Sequence, residues 1–113
     1  MPSQNKRDVD AVVHPTEEVY VFTSTETGET YAVPIYVETV LVDCSSYTCT
    51  ITLPNESECR GMTKTVRILS GTEECTIADK AGNTLLGCED TGDYLIVRSD
   101  GSDWNIVESS EAD

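Results

Sequence analysis

Five cysteines, a single histidine and a large excess of carboxylates are the residues of this chain with chemistry to offer. The cysteines stand at positions 44, 49, 59, 75 and 88. A zinc site needs thiolates or imidazoles that converge on a tetrahedron, usually delivered as close C-x2-C pairs. No such pair occurs, and His14 stands alone far upstream, so no metal is expected. An odd number of cysteines with no visible export signal argues against a disulfide framework and for mostly reduced thiols. Cys49 and Cys75 alternate in register with apolar neighbours (Cys49, Ile51, Leu53; Cys75, Ile77) and read as small core residues. Cys44 and Cys49 flank Ser45-Ser46-Tyr47-Thr48. Two strands joined there would bring them within bridging distance, so they are the pair that an oxidising environment could link.

Nucleophilic catalysis needs a nucleophile, a base and an orienting group. His14, followed by Pro15 in a polar N-terminal stretch, is poorly placed to serve as the base. Twenty-one acids supply carboxylate pairs by chance, and solvated strand faces and loops account for them. The pairs Asp90-x-x-Asp93 and Asp100-x-x-Asp103 set oxygen ligands on Gly-containing turns, but neither matches an EF-hand loop, and Asp in turns ordinarily hydrogen-bonds its own backbone. There is no P-loop and no G-x-G-x-x-G. The sequence therefore predicts no enzyme and no cofactor. Asn55-Glu56-Ser57 is a glycosylation sequon that matters only in a secretory compartment.

What must position these residues is small. A chain of 113 residues allows one domain with one modest core. Its formal charge of −14 lacks the basic excess that displaces counterions from a nucleic-acid backbone, so nucleic acid and anionic membranes are not expected partners. No apolar run near the N-terminus is long enough for a signal peptide or a membrane span.

Residues 1–16 are polar and without period and read as a flexible arm, residues 17–108 as a β-domain, and residues 109–113 as an acidic tail. VYVFTST, a turn at Glu26-Thr27-Gly28-Glu29, and TYAVPIYVETVLVD form a hairpin signal, with Pro34 marking an edge strand or a break. Thr48, Thr50 and Thr52 alternate with Cys49, Ile51 and Leu53 until Pro54. In TKTVRIL, Val66 and Ile68 point inward and Thr65 and Arg67 outward. A turn at Asp100-Gly101 pairs Leu95 and Val97 with Trp104 and Ile106 as core, leaving Tyr94 and Ile96 on the opposite face for the tail, the N-terminal hairpin or another subunit to cover. No stretch holds a 3.6-residue period, and short strands with Gly, Asp or Asn turns predict an all-β fold, an antiparallel sandwich or small barrel of jelly-roll type.

The segment from Thr50 to Val107 resembles a β-strand module of virion proteins from tailed phages and other large DNA viruses. The matching residues are Ile51, Leu53 and Pro54; Gly61 before TKTVRIL; Gly82, Thr84 and Gly87; and Ser99, Asp100, Gly101 and Trp104 in the closing hairpin. The resemblance implies a fold more strongly than an activity. It implies a non-enzymatic structural role as a minor capsid, decoration or fibre-type component, made in the host cytoplasm and found in the virion. Its partners would be other capsid proteins and copies of itself, with a trimer as the first expectation. Docking would use sheet edges and the N-terminal arm, with Tyr94 and Ile96 as subunit contacts. The alternative is a receptor- or glycan-binding module at a fibre tip, for which Tyr20, Tyr31, Tyr36 and Tyr47 are the candidate contacts.

Overall fold

The computed structural model describes residues 18–110. The arm at 1–16 and the last three residues of the tail lie outside the described residues. The strands are β1 (Glu18–Thr23), β2 (Glu29–Ala32), β3 (Val37–Cys44), β4 (Cys49–Thr52), β5 (Thr63–Gly71), β6 (Cys75–Ala78), β7 (Thr84–Cys88), β8 (Tyr94–Ser99) and β9 (Trp104–Ser109). One short 3-10 turn, Glu56–Glu58, is capped by Asn55, whose side-chain oxygen accepts from the Ser57 amide. Strand content follows from composition: Val, Ile, Thr and Tyr fill the pleated positions, and no helical period competes.

The strands form two mixed sheets, ordered β9-β8-β5-β3-β1 and β2-β4-β6-β7. Neither closes into a barrel. The chain alternates between them, so β1, β3 and β5 stack in parallel in the first sheet while β2, β4 and β6 stack in parallel in the second. The result is a short two-sided coil. Val19 pairs with Thr39 and Glu29 with Cys49, twenty positions on in each case. The next turn is longer, as Thr39 pairs with Thr65 and Cys49 with Cys75. The added length is the loop holding the 3-10 turn.

At Asp79–Asn83 the chain reverses. Asp79 accepts from the Asn83 amide at 2.8 Å, and Gly82 takes a φ of 98°, a conformation that side chains other than glycine rarely adopt. From there β7, β8 and β9 run antiparallel to their neighbours.

Three expectations are corrected by this topology. Antiparallel order fails from β1 to β6, because each step within this run is a crossing to the other sheet rather than a tight turn. The hairpin expected around Gly28 is such a crossing: β1 and β2 lie in different sheets, and Pro34 marks a break between β2 and β3. Ile106 is 49% exposed rather than core. The first sheet has five strands and the second four, so β9 has no strand opposite it for Ile106 to pack on. β9 runs through Ser109, and the Ser110 amide donates to the Tyr94 carbonyl at 3.0 Å.

The core lies between the sheets. Phe22, Val42 and Ile68 form one cross-strand row of the first sheet, and Val40, Val66 and Leu95 another. Ile51, Ile77 and Leu86 face them from the second sheet. Each such side chain contributes about 1.5–3 kcal/mol on burial. The outward Thr48, Thr50 and Thr52 and the inward Val66 and Ile68 stand as expected. Trp104 is buried, with its indole N–H donating to the Pro54 carbonyl at 3.0 Å.

Gly71 is needed where β5 leaves the sheet. A Cβ there would lie 2.7 Å from the Ile68 Cγ2 and 2.9 Å from the Glu89 carbonyl oxygen. Gly71→Ala is expected to cost about 1–3 kcal/mol in urea unfolding. Gly87→Ala, whose new Cβ would meet only the carboxylate end of the exposed Glu74, should cost much less. Equal losses would refute this distinction.

Candidate functional site

Among the described residues, one end of the coil is formed by β1 and β2, both outermost in their sheets. In an extended strand, alternate residues turn their N–H and C=O to opposite sides. The Ser24 amide donates to the Asp43 carbonyl on the β3 side at 3.1 Å. Counting back by twos, Tyr20 and Phe22 also bond toward β3, which leaves Val19, Val21 and Thr23 to present their backbone groups to the open side. Their side chains are exposed as well, Val19 and Val21 at 53% each.

The inner-facing residues of the same end are aromatic. Tyr20 stacks on Tyr31 with ring centroids 4.6 Å apart and planes 10° from parallel. Phe22 stacks on the same ring at 5.3 Å. These rings bridge the two sheets, and among the described residues no further strand lies beyond them; Tyr20 is 43% exposed. The Tyr31 phenol is pushed above its ordinary pKa by partial burial, then by Tyr20, Tyr36 and Glu18, which places all four side chains in one neighbourhood. Tyr36, half exposed, stands in the turn that leads from β2 to β3. Tyr47 belongs elsewhere, in the turn between β3 and β4, where its carbonyl accepts from the Ser24 hydroxyl at 2.9 Å.

No family model matches the chain, and no curated protein or solved structure does either. The functional reading therefore rests on the geometry of this end and on the sequence resemblance.

The other predicted residues are dispersed. Tyr94 and Ile96 lie on the outer face of β8 as expected, and both are half-buried. Tyr94 is partly committed within the subunit: its hydroxyl donates to the Glu108 carboxylate at 2.5 Å, which pushes the phenol pKa up.

All five cysteines are buried free thiols. Cys44 and Cys49 are not bonded to each other. The Cys44 thiol donates to the Glu73 carbonyl at 3.2 Å, and Cys49 instead shares a hydrogen bond with Cys75. Cys49, Cys75 and Cys88 are directly paired across β4, β6 and β7, a row of thiols on the inner face of the second sheet. Among the described residues no group of three or more His, Cys, Asp or Glu is arranged to hold a metal ion, and no helix is long and apolar enough to cross a membrane.

The Asp turns serve the backbone. Asp100 Oδ1 accepts from the amides of Ser102 and Asp103 at 2.8 Å each, and Oδ2 from the Asn105 amide group. These bonds hold the carboxyl well below its usual range, at about 2. His14 lies outside the described residues.

One buried group was not anticipated. Lys64 is only 2% exposed, and its ammonium donates to the carbonyls of Pro34 at 3.5 Å and of Ile35 and Val37 at 2.5 Å each. Burial lowers its pKa, opposed by Cys59 and Glu38 nearby. A cavity of about 250 Å³ lies alongside, lined by Glu38, Gly61, Met62, Thr63 and Lys64. Three protons meeting three carbonyls make this lysine a staple for the turn after β2 rather than a base or nucleophile.

Proposed function

We propose that this chain is a non-enzymatic structural component that assembles by strand addition at the open end of its coil. The observation that carries the reading is the edge that β1 forms among the described residues, with the backbone groups of Val19, Val21 and Thr23 beside exposed apolar and aromatic side chains. Proteins commonly blunt such edges with bulges, prolines or lysines, because an unpaired edge is a template for another chain. Here the edge carries neither Lys nor Pro, and its one irregularity falls at its start, between Glu18 and Val19. The setting follows the resemblance: a minor capsid, decoration or fibre-type protein of a virion, with a trimer as the first assembly to test. A sandwich-type layering of the two sheets, with edges left for neighbours, fits this role. The net charge of −14 keeps free copies apart before assembly.

Mass spectrometry of purified particles tests the setting, and absence of the chain from intact virions would sink it. Val21→Pro tests the edge. The Val21 amide points away from β3, so proline there removes an outward donor without breaking the ladder. The variant should stay folded and fail to incorporate, and normal incorporation would refute the edge as the attachment site. A second reading, recognition of a surface glycan, draws on the exposed Tyr20 and Tyr36 and the half-buried Tyr31, since aromatic faces are platforms for sugars. Hits on a glycan array that are lost in Tyr20→Ala would favour it.

A further inference from the structure

We infer that the occupant of the β1 edge is an extended, basic segment of another polypeptide, with lysine or arginine at alternate positions. This rests on the strand-addition reading above and specifies its partner. The backbone of β1 sets the form of the ligand. Val19, Val21 and Thr23 each turn one donor and one acceptor outward, a pattern that only another extended chain satisfies repeatedly.

Charge sets its composition. No lysine or arginine occurs anywhere from residue 8 to residue 59, whereas Glu18 opens β1, Glu26 lies in the turn after it and Glu29 opens β2. Five of the seven basic residues fall at Arg60 or beyond, and one of those, Lys64, is sealed inside. Among the described residues, β1, β2 and the turn between them are thus acidic and hold no lysine or arginine.

The aromatic groups point the same way. Tyr20 and Tyr36 expose ring surface beside Glu18, and a cation held over a tyrosine face gains an attraction that a carboxylate loses. A second copy of this chain fits less well. Its β1 would set Glu18 and the neighbouring acids of one copy against those of the other, which opposes pairing.

The test uses the full chain and two synthetic peptides of about eight residues, one alternating Lys and Val and one alternating Glu and Val. Fluorescence anisotropy should show saturable binding of the Lys-Val peptide, weakening as ionic strength rises past about 0.15 M, and none of the Glu-Val peptide. Val21→Pro should weaken binding by at least roughly tenfold while circular dichroism stays unchanged. Glu18→Lys should reduce the preference for the basic peptide with the strand intact.

Equal binding of both peptides, or binding indifferent to Val21→Pro, overturns the inference. So does a dimer of the wild-type chain that becomes monomeric in Val21→Pro, which would assign the edge to a second copy. Binding that appears only after residues 1–16 are deleted would assign it to the chain's own N-terminus and likewise overturn it. If Val21→Pro abolishes incorporation into particles but no peptide binds, strand addition stands and the basic identity of the partner falls.

Discussion

Replacing Lys64 with methionine is expected to destabilise the protein by about 2–4 kcal/mol, more than any other lysine substitution in the domain. Methionine fills much the same volume, so packing changes little. What is lost is the donor set for the carbonyls of Ile35 and Val37, with Pro34 at the limit of reach. Those carbonyls lie in the turn between β2 and β3 and at the first residue of β3, where the chain crosses from one sheet to the other. Buried acceptors deprived of their donors carry the desolvation penalty without the bond. Lys80→Met, at an exposed position in the turn after β6, is the control and should change stability by no more than about 0.5 kcal/mol. Urea unfolding of both variants decides the matter. A Lys64→Met loss as small as that of Lys80→Met would show that water entering the adjacent cavity replaces the ammonium.

Lys64 also shows what the sequence did and did not disclose. In the run Lys64-Thr65-Val66-Arg67-Ile68, the lysine shares parity with the two inward residues, and a period of two places it inside. The signal was present and pointed to a buried charge that needed several acceptors. Other parts were legible for the same reason: the Thr and Cys-Ile-Leu faces of β4, the β8–β9 hairpin at Asp100-Gly101, and the burial of Trp104 all follow from alternation and turn chemistry.

Parallel order was harder to read. A half-buried alternating strand is the usual mark of an antiparallel sheet, because most parallel strands are covered on both faces. Here the coil gives parallel strands one wet face each, so the inference from pattern to direction fails. The available clue was a repeat. Thr30-Tyr31-Ala32-Val33-Pro34 returns twenty residues later as Thr50-Ile51-Thr52-Leu53-Pro54, and these segments do pair in register. The next turn is lengthened by the loop at 55–62, which hides the period. The edge that β1 forms among the described residues was not legible at all. An edge is a property of strand order, and strand order was the part that pattern could not supply.

Raising the pH from 9 to 11 under reducing conditions is expected to cost the protein stability, and the cysteines are the reason. Cys44 is fully buried, and burial, followed by the nearby Cys49 and Asp43, raises its thiol pKa from 9.0 to about 11. Cys59 is raised by burial, and Cys75 by its hydrogen bond to Cys49 and by burial. A group that holds its proton more tightly when folded binds more protons in the native state than in the unfolded one between the two pKa values. Its contribution is complete below pH 9 and is lost as the pH climbs through the folded value. For Cys44 alone this is on the order of 2 kcal/mol. Lys64 acts in the opposite sense: its lowered pKa means that the folded state sheds a proton first, which favours folding as the pH approaches the ordinary lysine value. Three raised thiols stand against one lowered thiol, Cys49, which accepts the hydrogen bond from Cys75, and one depressed ammonium, which leaves a net fall. Urea midpoints measured at intervals from pH 7 to 11 should be level up to about 9 and then decline, and Cys44→Ala should shallow the decline while Lys64→Met steepens it. A profile that stays level to pH 11 would refute the raised thiols of Cys44, Cys59 and Cys75 as contributors to stability.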